Sequence, residues 1–130
     1  MVRVLAWLAA VAWMGVIFYL SSQTQEDLHS LFPFFPDLNW GHLAAYFVLA
    51  LLFRYALAGS HSPRAGFWAV ALSFLYGISD EYHQSFVPTR RPDVADLMAD
   101  LVGAVAAAIL WRLLWSARNR RRRKDSEVAP

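Results

Sequence analysis

Between Arg3 and Ser21 the chain runs through 17 consecutive apolar or small residues, Val4 to Leu20, without a charge. A hydrocarbon core of about 30 Å takes roughly 17 to 25 helical residues, so this run is long enough to cross it. The composition points the same way: 58% of the 130 residues are hydrophobic and 17% charged, where a soluble domain has about 25% charged. Six Trp and 15% aromatic residues exclude a disordered chain. The first run reads as a permanent helix rather than a cleaved leader. No small-x-small pattern follows it in YLSSQTQ, and further long apolar segments come after. With no Cys, disulfides, thiolate metal sites and cysteine nucleophiles are excluded.

Three more segments qualify as spans: about 41–57, centred on LAAYFVLALLF; about 65–82, through FWAVALSFLYGIS; and about 94–115. Pro33, Pro36 and Asp37 break the chain between the first two, Gly59, Ser60, Ser62 and Pro63 between the next two, and Pro88 and Pro92 before the last. The expected fold is therefore all-α. It is an integral membrane bundle of four transmembrane helices over residues 1–116, with a short interfacial segment between helices 1 and 2. That segment, LHSLFPFFPD, carries Leu28, Leu31, Phe32, Phe34 and Phe35 and is too short to span, so it is expected to lie in the interface and roof the site. Residues 117–130 read as a basic, disordered cytoplasmic tail.

Charge sets the orientation. With four spans, ten of the twelve basic residues fall on the side of the termini: Arg3, Arg54, Arg64, Arg112, Arg118, Arg120 to Arg123 and Lys124. The other side keeps Arg90 and Arg91 and carries eight of the ten acids, Glu26, Asp27, Asp37, Asp80, Glu81, Asp93, Asp96 and Asp100. Short basic loops stay cytoplasmic, so both termini are expected inside, in a multi-pass protein of the inner or plasma membrane. Trp7, Trp68, Trp111 and Trp115 fit an inner aromatic belt and Tyr19, Trp40 and Tyr82 an outer one, with Trp13 packed inside the bundle. The run RNRRRRK follows a span directly. It reads as a topology determinant resting on anionic lipid, at about 1 kcal/mol per basic residue, rather than as a nucleic-acid site.

The stretch from Ser79 to Gly103, SDEYHQSFVPTRRPDVADLMADLVG, crowds ionisable groups into the outer ends of two otherwise apolar helices. An acid deep in a membrane helix costs about 2.5 to 3.5 kcal/mol, so such groups face a partner or a wet cavity. Gln84 lies on a face shared with Asp80 or Glu81, and Asp96 and Asp100 stack four apart. Two like charges at that spacing call for a cation or a proton. Arg90 or Arg91 is expected to pair with Glu81 or Asp96. Asp93 reads as an N-cap, with Asp96 at the position of a capping-box acid. Ser73/Gly77 and Gly103/Ala107 read as small-residue helix contacts. If the two outward hairpins pack together, Gln23, His42 and Tyr46 join Asp80, Glu81, Gln84, Arg90, Arg91, Asp96 and Asp100 in one binding pocket.

The order of SSQ after the first span, HLAAYFVL opening the second, then DEYHQSFVPTRR and DVADLMADLVGA, resembles the VanZ-like membrane proteins. The resemblance covers about Ser21 to Ala106. Its pattern falls on Glu81, Gln84, Phe86, Pro88, Arg90, Asp96, Asp100 and Gly103. Asn39 and Trp40 replace an Asp-Lys pair common before the His, and Thr89 replaces a Gly common before the Arg. The resemblance implies a four-span envelope protein and a link to susceptibility to teicoplanin-type glycopeptides, not a reaction.

Three functions are compatible with these residues. The first is a binding module for an amphiphile with a polar head, such as a lipid-linked cell-wall intermediate or a lipoglycopeptide. Arg90 would take a phosphate or carboxylate, and Glu81 and Gln84 would bond sugar or peptide groups. The second is a hydrolase or transferase at the outer leaflet, with Glu81 and Asp96 as acid and base and His42 or His83 as proton carrier. The third is a polar network that only fixes helix packing, although intramembrane hydrogen bonds contribute just about 0.6 kcal/mol each. No cofactor is expected, and no metal, since the oxygen donors Asp80, Glu81, Asp96 and Asp100 lack a dedicated spacing. A channel is disfavoured because the inner halves of the spans lack a polar lining, though a homo-oligomer is compatible with the sequence.

Overall fold

A computed structural model describes residues 2–33, 38–58 and 62–128. It is all-helical, with no strand among the described residues, and has five helices: α1 (Val2–Ser21), α2 (Gln25–Leu31), α3 (Leu38–Ala58), α4 (Pro63–Gln84) and α5 (Val94–Val128). The four long helices contain the four expected spans, each extended by a few residues except α5, which is extended much further. α5 runs unbroken through the basic segment to Val128, where disorder was expected from residue 117. Arg, Lys and Ala are good helix formers, and a helix already nucleated adds residues at little cost.

Among the described residues, three helices are long and apolar enough to cross a membrane: Val2–Ser21, Trp40–Leu57 and Val94–Arg123. α4 is as long but is not one of them. Its C-terminal turns hold Ser79, Asp80, Glu81 and Gln84, which lower its hydropathy.

α3 is the central helix. It packs against α1, α4 and most closely α5, and α4 packs against α5 as well. One core cluster joins Ala10 and Ile17 of α1 to Tyr46, Leu49 and Phe53 of α3 and Ala69 of α4; a second joins Ala50 to Ala104 and Ala107 of α5. The α3–α5 approach depends on Gly103, because a Cβ there would run into the backbone carbonyl of Leu43. The Gly103/Ala107 pair thus acts as the small-residue contact expected of it. Trp13 is half-buried and donates its indole N–H to the Ala45 carbonyl at 2.9 Å.

Long helices consecutive along the chain are antiparallel, so α3 and α5, the closest pair, run parallel, and this sorts the helix ends. At one end Arg3 of α1 donates to the Leu57 carbonyl of α3 at 2.7 Å, and Arg54 of α3 lies 5.3 Å over the Trp111 ring of α5. At the other end come together the C-termini of α1 and α4 and the N-termini of α3 and α5, the segments that hold the polar residues. α2 lies at this same end. A capping box starts it: the Thr24 hydroxyl accepts from the Asp27 amide, and the Asp27 carboxylate accepts from the Thr24 amide. Leu28 is buried, while Leu31 and Phe32 are exposed; Phe34 and Phe35, expected to complete the roof, lie outside the described residues.

Candidate functional site

Two polar groups fill the end of the bundle. In the first, Asp80 on α4 is buried and its Oδ2 accepts two hydrogen bonds, from Ser21 Oγ at 2.8 Å and Gln84 Nε2 at 3.0 Å. The acid that shares a face with Gln84 is therefore Asp80, one helical turn away. Ser21 belongs to the SSQ that closes the first apolar run, and its partner, Asp80, lies 59 residues further on, beyond the reach of any sequence spacing.

The second group centres on His42, the residue one turn into α3. Its Nδ1–H donates to Asp100 Oδ1 at 3.0 Å, and its Nε2 lies 3.8 Å from Asp96 Oδ2. The Tyr46 ring lies parallel to the imidazole, 6.3 Å between centroids. Asp100 is wholly buried, and Gly77 makes the room for it, since a Cβ at that position would come within 2.7 Å of Asp100 Oδ2. The side chain placed between the stacked Asp96 and Asp100 is thus His42.

The expected arginine pairs do not form. Among the described residues neither Arg90 nor Arg91 lies within 4.0 Å of a carboxylate oxygen. Glu81 instead accepts the Asp93 backbone N–H at 2.9 Å, and Asp93 in turn caps α5 by accepting from the Ala95 amide at 2.8 Å. The N-cap reading of Asp93 holds. The reciprocal acid of the cap comes from α4, not from Asp96. Partners fixed on helix ends reach these carboxylates at little entropic cost, whereas a loop arginine would have to order a long side chain.

Arg90 points elsewhere. Its Nε is buried without a hydrogen-bond partner, and the side chain lines a groove of about 300 Å³ together with Asp80 and His42. Thr89, just before it, has φ 69°, a left-handed conformation for which Gly is better suited. The Thr89 hydroxyl accepts from the Gln25 amide at 3.3 Å, tying this loop to α2.

The rest of the groove is apolar. Val16, Ile17 and Leu20 of α1 and Ala45, Tyr46 and Val48 of α3 line it, together with Leu28 and Phe32. Val16, Val48 and Trp40 on its rim are exposed, so the groove opens sideways between α1 and α3. Of the ten residues expected in one pocket, His42, Tyr46, Asp80 and Arg90 line this groove. Glu81, Gln84, Asp96 and Asp100 belong to the adjoining polar groups, Arg91 is exposed, and Gln23 folds back onto the Tyr19 carbonyl at 3.0 Å. Ser22 pairs with His83 instead, Oγ to Nε2 3.0 Å, with the Phe18 ring 4.3 Å from the imidazole.

His42, Glu81 and Asp96 each offer one potential ligand atom, and these atoms lie within 4.8 Å of one another. They come from three helices, which is why no sequence spacing announced them.

An all-helical bundle with apolar helices of spanning length and a polar cluster at one end is the design of a helical membrane protein. A family model described as VanZ/LLP1 matches residues 6–115, and the chain belongs to this family. No curated protein and no solved structure matches it.

Proposed function

We propose that this VanZ-family protein binds the polar head of an amphiphile at the outer face of the cell membrane. The observation that carries the reading is the groove: an apolar channel, open sideways between two membrane-type helices, that ends on Arg90, Asp80 and His42. An acyl chain matches the walls and an anionic head matches the half-buried Arg90 side chain, whose Nε has no hydrogen-bond partner. A lipid-linked cell-wall intermediate or a lipoglycopeptide has this chemistry, which fits the family's link to teicoplanin-type susceptibility.

The reading takes α4 as a fourth span. Its 22 residues measure about 33 Å as a helix. Asp80, Glu81 and Gln84 are buried in protein rather than facing lipid, so hydropathy understates its fitness to cross. Four spans put both termini and the basic residues 117–130 on the cytoplasmic side of the plasma or inner membrane. Single cysteines introduced at Thr89 and Ser116 of this cysteine-free chain test that: an impermeant maleimide labels the first in intact cells and not the second.

Binding is tested by mass spectrometry of the lipids that copurify with the protein. One anionic class is expected above its bulk abundance in the wild type and at bulk level in Arg90→Ala. Bulk composition in both defeats the reading. The His42–Asp100 pair favours a second function, hydrolysis or transfer at the same head group. Asp100 would orient the imidazole as a base, with Glu81 or Asp96 supplying the acid. Turnover of a lipid diphosphate, lost in Glu81→Gln, would distinguish it from binding alone.

A further inference from the structure

We infer that His42, Glu81 and Asp96 form a site for one divalent first-row transition-metal ion, held between α3, α4 and α5. The three ligand atoms already converge within 4.8 Å, and the His42 Nε2 to Asp96 Oδ2 distance is 3.8 Å. Ligand atoms in a tetrahedral site with bonds near 2.0–2.1 Å stand about 3.3 Å apart, a contraction that side-chain rotation supplies.

The surroundings are those a metal-binding histidine needs. Asp100 takes the Nδ1–H, which leaves the Nε2 lone pair on the side of Asp96. A carboxylate behind the imidazole fixes its tautomer and raises its basicity toward a metal. Asp100 is itself wholly buried against Gly77.

Glu81 supplies an independent observation. The residue is 7% exposed, and its Oε2 is held by the Asp93 amide while its Oε1 is buried with no hydrogen-bond partner. A carboxylate oxygen left so is costly, and a cation between it, His42 and Asp96 removes the cost. The charges agree. Asp80, Glu81, Asp96 and Asp100 gather at this end of the bundle around His42, with Arg90 turned toward the groove.

One imidazole with two carboxylates selects a zinc- or manganese-type ion over magnesium or calcium, which prefer all-oxygen sets. Three protein ligands leave a coordination position open. His42 also lines the groove, so the ion would sit beside the space assigned to the head group. The site stands whether or not an amphiphile occupies that space.

The test uses the full chain in detergent, stripped by chelator and titrated with Zn²⁺ by calorimetry. One ion per chain is expected. His42→Ala, Glu81→Gln and Asp96→Asn should each weaken binding at least about tenfold, and Asp100→Asn by about 10- to 100-fold through the histidine it orients. His29→Ala and His83→Ala should bind as the wild type does. X-ray absorption of the zinc-loaded wild type needs no variant to fold, and should find one imidazole and oxygen donors. No stoichiometric binding, binding that survives both His42→Ala and Glu81→Gln, or two or more imidazoles on the ion overturns the inference.

Discussion

Replacing Gly77 with alanine tests how tightly the polar end is packed. A Cβ at this position lies 2.7 Å from Asp100 Oδ2 and 3.4 Å from Tyr46 Cε1. The first distance is too short, so the carboxylate or the helices must move. Asp100 is wholly buried and holds His42 at 3.0 Å, so moving it sacrifices a charged hydrogen bond of about 1.5–3 kcal/mol. Parting α4 from α5 instead is overpacking, which costs about 1–3 kcal/mol. Against either stands the gain of alanine over glycine inside a helix, about 1 kcal/mol. Gly77→Ala should therefore destabilise the protein by a net of up to about 2 kcal/mol, read from unfolding in mixed micelles. In an Asp100→Ala background the clash is gone, and the same substitution should be neutral or stabilising by up to about 1 kcal/mol. Equal effects in the two backgrounds would refute the packing of Asp100 against Gly77.

Gly103→Ala meets the Leu43 and Phe47 backbones, which cannot rotate aside. It should cost about 3 kcal/mol or more and appear as loss of a monodisperse peak on size exclusion. Ser21→Ala leaves Asp80 with Gln84 alone and should cost about 1–3 kcal/mol of unfolding free energy. Thr24→Ala removes the capping box of α2 at a cost of about 0.5–2 kcal/mol. Hydrogen exchange should then speed up over residues 25–31, with the amides of α3 and α5 unchanged.

The helices were legible because lipid-length apolar runs admit few alternatives, and the breaks at Pro33, Ser62 and Pro92 fall between the helices observed. That Asp80, Glu81, Asp96, Asp100 and His42 would meet also followed from the antiparallel order of four helices. Which of them would pair did not. Pairing depends on the rotation of each helix about its axis. An acid and a loop arginine close in sequence looked like partners, whereas His42, 54 and 58 residues from Asp96 and Asp100, took both. Gly77 had been read as a helix contact; its role is to house a carboxylate. The pairing of Ser21 with Asp80 and the buried oxygen of Glu81 depend on the same rotations, and no spacing in the sequence announces them.

The groove between α1 and α3 is proposed to receive an amphiphile whose head lies at Arg90. A photoreactive residue at Val16, on the groove rim, tests it directly when compared with one at Leu75, exposed on α4 away from the groove. Irradiated in native membranes, the Val16 position should capture one anionic amphiphile class, and Arg90→Ala should abolish that capture. Leu75 should take bulk lipid in both. The same bulk lipids at Val16 and Leu75, unaffected by Arg90→Ala, would contradict the account.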